Sequence, residues 1–209
     1  MRDNFMSAFA SMFMQDKSLL QFQKKMKDKK NRSNLETMFG VKKIPSDSQI
    51  REVINKTKSK SIIKINDNII GRLQRGNQLK KYAIEGKYLA LIDGTEFFSS
   101  ETIKCKCCLQ KESKNGKIRY SHQALQMIIA HPKQKQVLPL FAEEIKNEDG
   151  IEKQDCEINA GKRLLKNLKS SHPKMPLIIC GDDLYSRQPM IEVILDNKWD
   201  YLLVAKPES

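Results

Sequence analysis

The chain has 209 residues, 39% of them hydrophobic and 30% charged, with a net charge of +13 at pH 7. That apolar fraction can build a core, which excludes wholesale disorder, and the length allows one large domain or two small ones. Five cysteines, three of them at positions 105, 107 and 108, exclude a secreted disulfide framework.

No apolar run reaches membrane-spanning length, and the short one near the N-terminus does not make a secretory signal. The expectation is a cytoplasmic protein with reduced thiols and no membrane partner. The charge is uneven. Residues 1–87 carry 20 basic and 8 acidic residues, a net of +12, whereas residues 88–209 carry 18 and 17, a net of +1. A basic arm on a near-neutral body points to a polyanion, with double-stranded DNA as the expected partner and a homodimer left open. The alternative is a lysine-rich solvated surface.

In chain order, residues 3–27 place Phe5, Phe9, Met12, Phe13, Leu19, Leu20, Phe22 and Met26 partly at helical spacing, which predicts one or two amphipathic helices with this stripe in their core. Lys24 to Arg32 is a basic cluster; Lys24, Lys25, Lys29, Lys30 and Arg32 are candidate phosphate contacts or else a solvated face. A second helical unit is expected over 33–58. There Ser46 and Gln49 make a capping-box pattern, Ile50, Val53 and Ile54 share a face, and Arg51 is a further candidate for DNA. Residues 59–87 read as a connector with a short helix, and the domain boundary is placed near Gly86, giving a basic helical arm at 1–86 and a second domain at 87–209.

The second domain is organised by two apolar runs that end in acids. KYLALIDGTEFFSS reaches Asp93, and PLIICGDDLY reaches Asp182 and Asp183. Each fits a central strand that stops at its carboxylate. Side by side, such strands would hold Mg²⁺ (or Mn²⁺) for phosphoryl chemistry, although two-metal chemistry usually wants a third acid. The alternatives are an Asp–Gly turn at Asp93 and loop or helix-capping acids at 182 and 183.

Between them, residues 99–120 read as a long hairpin loop turning at Asn115–Gly116. Strands are expected over 120–130 and 136–143, helices over 154–170 and 188–197, and a last strand over 200–205. The order β-β-β-α-β-α-β predicts a mixed α/β sheet behind an N-terminal helical region. Cys105 and Cys108 form a C-x-x-C, with His122, His131 and Cys156 as further candidate zinc ligands; reduced structural thiols are the alternative. Lys162, Arg163 and Arg187 are candidate DNA contacts that read equally as solvated charges.

Taken together, LIDGTEFFSS, the C-x-x-C after it, YSHQ, the D-C-E-x-N-A-x-K-R run from Asp155 to Arg163, G-D-x-L-Y at 181–185 and the upstream GVKKIPSDSQIREVI resemble a bacterial insertion-sequence transposase of the DDE type. The resemblance covers most of residues 35–209 and is specific as a combination. It implies a ribonuclease H-like fold and metal-dependent cleavage of DNA at the ends of a mobile element, followed by joining to a target.

The resemblance also implies roles for the acids. The first acid of the family falls on Asp93. The second, in a D-x-x-Tyr/Phe pattern, falls on Asp182 with Tyr185 and so favours Asp182 over Asp183. The family's third acid is a Glu beyond the last strand, and neither Glu192 nor Glu208 fits it. The expectation is therefore a partial, truncated catalytic domain with little or no strand transfer of its own. The alternative readings are a non-catalytic DNA-binding remnant that inhibits an intact copy, a zinc-stabilised module, and a decayed chain that does not fold stably.

Overall fold

The computed structural model describes residues 1–146 and 155–206. The chain divides between Ile62 and Ile63 into two units, not near Gly86. The reason is packing: Ile70, Leu79 and Tyr82 are buried in the core of the second unit. Asn66 there donates from Nδ2 to the carbonyls of Pro139 (3.1 Å) and Leu140 (3.0 Å). The expected connector is mostly one long helix.

The first unit contains α1 (Arg2–Phe13), α2 (Leu19–Lys25), α3 (Lys29–Phe39) and α4 (Asp47–Lys56). Its core is Ala10, Phe22, Met26, Leu35, Phe39 and Val41. The expected apolar stripe is only half buried. Phe22 and Met26 point inward, but α1 packs through Ser7, Ala8, Ala10 and Ser11 and leaves Phe9, Met12 and Phe13 exposed at 52%, 75% and 63%. Small residues allow the backbone of α1 a close approach, and its large residues are left outside, where Phe9 and Phe13 each meet Phe39 edge to face and one another at a tilt.

The start of α4 follows the sequence closely. The Ser46 hydroxyl accepts from the Gln49 amide (3.2 Å), and the Gln49 side chain accepts from the Ser46 amide (3.1 Å). This reciprocal pair satisfies two otherwise orphaned donors.

The second unit opens with the bulk of α5 (Ser59–Arg75) and a 3-10 turn, Gln78–Tyr82. The sheet then contains β1 (Ala83–Ile84), β2 (Lys87–Ser100), β3 (Leu109–Glu112), β4 (Ile118–Ala130), β5 (Leu138–Ile145), β6 (Leu177–Gly181) and β7 (Asp200–Leu203). Helix α6 (Glu157–Ser171) lies between β5 and β6, and α7 (Gln188–Asp196) between β6 and β7. The main path is β3-β4-β2-β6-β7, with β5 also on β4 and β1 on β2. Pairing is antiparallel among β2, β3, β4 and β5 and parallel from β2 to β6 to β7. This is the expected mixed α/β sheet behind a helical region. A short strand, β3, lies inside the segment expected to be loop.

The first acidic strand does not stop at its acid. β2 runs seven residues past Asp93 to Ser100, because β4 pairs with it from Leu89↔Ala130 to Ser100↔Tyr120, with a bulge between Glu96 and Phe98. On its other edge β6 pairs only from Tyr88↔Leu177 to Leu91↔Cys180. Beneath the sheet, Ala160, Leu164, Leu165 and Leu168 of α6 meet Leu125, Met127 and Ile129 of β4 in the main core. Cys156, expected on that helix face, is instead the exposed residue before its first turn. β7 is an edge strand, with Leu202 exposed.

Ser46→Ala should remove one half of the α4 cap. The expected loss is about 1 kcal/mol of stability in the helical unit, read by far-UV circular dichroism in a urea titration of the full chain, whereas Ser46→Asp should retain most of it.

Candidate functional site

Two features stand out in the sheet unit. The first is the edge where β6 leaves β2. Leu91 is in parallel register with Cys180, and Gly181 lies so close to Ile92 and the Tyr185 ring that any side chain there would press on both. Asp93 and Asp182 each lie two residues beyond the last pair, Leu91↔Cys180, and both carboxylates act on the Tyr185 phenol. Both are exposed. Asp182 Oδ1 accepts from the Leu184 amide (3.1 Å) and so caps the 3-10 turn Asp183–Tyr185. Asp183 is half-buried, and its Oδ1 accepts from the Lys206 amide (3.0 Å).

A third carboxylate, absent from the sequence reading, belongs to this edge. Glu157, in the first turn of α6, lies over Gly94; a methyl group at Gly94 would overlap its carboxylate. Its Oε2 accepts from the Tyr185 hydroxyl (3.2 Å). Tyr185 is itself buried. Burial first, and then the carboxylates of Glu157, Asp182 and Asp93, push its phenol well above the ordinary tyrosine range. The phenol thus stays a proton donor and senses all three acids at once.

The acids approach from different sides. Asp93 pairs with Gln126, whereas Gly94 pairs with the core residue Leu125 and faces Glu157. The sequence signal for Glu157 was the D-C-E run itself, but an acid in a helix's first turn is ordinarily read as a partner of the helix dipole.

The second feature is a thiol–imidazole triangle. Cys105 Sγ, Cys108 Sγ and His122 Nε2 lie within 4.8 Å of one another, the only group of three or more metal-ligand side chains at that spacing among the described residues. Of the five zinc candidates, the other two stand apart. His131 is at the far end of β4, roughly 30 Å along the strand from His122 at 3.3 Å per residue, and its Nδ1 accepts from the Lys133 amide in a local turn. Cys156 precedes α6. The Cys108 thiol is buried, which pushes its pKa up.

The basic candidates divide by how they are engaged. Lys24, Lys29, Lys30 and Arg32 are exposed on α2 and α3, and no ion pair involves them among the described residues. Lys25 pairs with Asp16 (3.1 Å), and Arg51 lies 3.9 Å from Asp47 on an exposed helix face. Arg187 is exposed just before α7 and Lys162 is half-buried. Arg163 does not present a free guanidinium. It binds Asp155 (2.5 and 3.1 Å), Glu143 (2.9 Å) and the Glu144 carbonyl (3.2 Å). Bonding to Asp155 first, with Glu143 added, outweighs burial and holds it still more firmly protonated.

Of the two glutamates that did not fit as a third acid, Glu192 is exposed on α7 and accepts from Gln188 Nε2 (2.8 Å). Glu208 lies outside the described residues. Comparison with protein-family models, with curated proteins and with solved structures gives no match for this chain.

Tyr185→Phe keeps the buried ring and deletes the donor to Glu157. The expected cost is about 1 kcal/mol, measured by urea unfolding followed through Trp199, the only tryptophan and a buried one. An unchanged midpoint would mean that this hydrogen bond contributes nothing net.

Proposed function

We propose that the sheet unit processes phosphodiester bonds of double-stranded DNA with a hard divalent cation, Mg²⁺ or Mn²⁺, in the manner of a DDE transposase. The helical unit would supply non-specific affinity for the duplex. The observation that carries this reading is that Asp93 and Asp182 each follow, by two residues, the last paired residues of adjacent parallel strands. The order β5-β4-β2-β6-β7, with three antiparallel strands followed by two parallel ones, agrees with the ribonuclease H-like arrangement that the resemblance implies.

The donor set fits such an ion in kind. Hard cations take carboxylate oxygens, and the carboxylates of Glu157, Asp182 and Asp93 all act on the Tyr185 phenol, adding to the larger effect of its burial. Asp93 and Asp182 would hold the ion, and Glu157, over Gly94 and bonded to Tyr185, is a further carboxylate beside them. When bound, the ion would stabilise charge developing on the phosphate and favour deprotonation of the attacking water.

The protein's own part is to hold the acids. β2 and β6 carry Asp93 and Asp182, and Tyr185 holds Glu157 by its O–H. Gly94 leaves room for that carboxylate. Lys24, Lys29, Lys30 and Arg32 meet the phosphate backbone, where exposed and unpaired cations release counterions on binding. Zinc enters this reading only at Cys105, Cys108 and His122. There His122 is four residues along β4 from Gln126, the partner of Asp93, or roughly 13 Å at 3.3 Å per residue.

The uneven charge, +12 over residues 1–87 against +1 over the rest, favours a second reading, a DNA-binding protein that does not cut. One experiment separates the two. The purified chain is incubated with supercoiled plasmid in Mg²⁺, Mn²⁺ or EDTA, beside Asp93→Ala, Asp182→Ala and Glu157→Ala. Because neither Glu192 nor Glu208 fits the third acid that the resemblance implies, little nicking and no strand transfer are expected of the wild-type chain; what nicking there is should need Mg²⁺ or Mn²⁺ and be lost in Asp93→Ala and Asp182→Ala, with duplex affinity preserved. Nicking that survives Asp93→Ala would sink the assignment, and duplex binding without nicking in any metal would favour the second reading. In either case, Lys29→Ala with Lys30→Ala should weaken binding uniformly across sequences and flatten the log K against log salt slope by about 2.

A further inference from the structure

We propose that Cys105, Cys108 and His122 bind one zinc ion, and that this ion pins the outer end of the β2–β4 hairpin. The inference does not depend on the DNA-processing reading.

The distances carry it. The two sulfurs are 3.6 Å apart, and His122 Nε2 lies 3.3 Å from Cys105 Sγ and 3.4 Å from Cys108 Sγ. Zn–S bonds of about 2.3 Å and Zn–N bonds of about 2.05 Å at tetrahedral angles would set these edges at roughly 3.8 and 3.6 Å. The triangle is therefore a zinc cradle to within a few tenths of an ångström. It is far too open for a disulfide, whose sulfurs sit about 2.05 Å apart. Two sulfurs and an imidazole nitrogen are the soft and borderline donors that favour zinc over Mg²⁺ or Ca²⁺.

The cradle is also built. Cys105 to Cys108 is a closed turn in which the Cys108 amide donates to the Cys105 carbonyl (3.3 Å). The Cys105 amide donates to Cys108 Sγ (3.2 Å), the kind of outer hydrogen bond that supports a metal-bound thiolate. Cys108 is buried. His122 is fixed on β4 opposite Phe98, and its ring is stacked at 18° on Phe97 and tilted against Phe98. The bulge at Phe97 is what brings both phenylalanines to the imidazole.

The outer hairpin needs such a link. Beyond Leu91, β2 has lost β6, and near Ser100 only the four-residue β3 flanks β4 on the other side. Phe97, Ile103 and Ile118 are exposed there. Little apolar surface is buried at this end, and two- and three-stranded extensions of this kind are marginal without a core. An ion joining residues 105–108 to residue 122 supplies cross-linking that the side chains do not. The three side chains fill three positions of a four-coordinate ion. Among the described residues no fourth donor lies within the group, which leaves one position of the ion for a further donor.

The test uses the full chain, stripped with EDTA under reducing conditions and titrated with Co²⁺ and then Zn²⁺. We expect visible absorption of tetrahedral cobalt with a thiolate charge-transfer band, bleached by one equivalent of zinc, and a higher melting temperature with zinc than without. Cys105→Ser, an exposed and nearly isosteric change, and Cys108→Ser should each weaken zinc binding by ~100-fold or more. Cys107→Ser, Cys156→Ser and His131→Ala should leave it unchanged. Far-UV circular dichroism of each variant separates loss of a ligand from loss of the fold. No cobalt spectrum from the folded wild-type chain at micromolar metal would overturn the proposal, as would equal weakening by the Cys156 or His131 variant. Loss of binding in Cys107→Ser would overturn the three-residue ligand set.

Discussion

Everything in the sheet unit depends on β2 having two different neighbours. On one edge β4 accompanies it antiparallel for nearly its whole length; on the other, β6 runs parallel for only four residues and then departs. An apolar inner half, with Ala90 and Ile92 buried, can be covered on both edges because α6 and the core residues of α5 close over it. The outer half is polar and cannot. The place where β6 turns away is therefore where a backbone edge, two strand-end acids and the first turn of α6 meet. Open sheets present their reactive side chains where neighbouring strands part, because only there is a crevice left between packed elements.

This arrangement separates two kinds of chemistry along one strand. At the departure of β6 the side chains are carboxylates, exposed or half-buried, around one buried phenol. Farther out they are thiols and an imidazole packed beside aromatic rings. Hard oxygen donors and soft donors favour different cations. Arg163 belongs to neither. Its ties to Asp155 and Glu143 lock the entry of α6 against β5, which holds Glu157, two residues after Asp155, in register with the edge.

Much of this was legible in the sequence where local signals and global packing agree. LALI and LIIC read as strands, the Ser46–Gln49 box as a helix start, and the leucines of α6 as a core face, and each is realised, although burial along LALI alternates and leaves Leu91 exposed. The failures have identifiable causes. Asp–Gly is a strong turn signal, yet continued pairing with β4 carries β2 straight through Asp93 and Gly94. Periodicity put large residues of α1 inside, but close backbone packing favoured Ala10 and its small neighbours. The connector was cut at a glycine, whereas Ile70, Leu79 and Tyr82 bury themselves with the sheet. Spacing could name five zinc candidates but could not choose among them, because the choice of His122 over His131 is made by strand register. Glu157 was invisible for the same reason: only the fold brings it over Gly94.

The uncovered outer strand has a practical consequence. Among the described residues no strand pairs with the outer edge of β7, beside exposed Leu202, and such an edge is a template for another extended chain. What keeps copies apart is the repulsion of a +13 molecule. Added salt shortens the range of that repulsion. Raising the salt therefore removes a barrier to edge-to-edge pairing, and a lysine placed on β7 restores one at the edge itself.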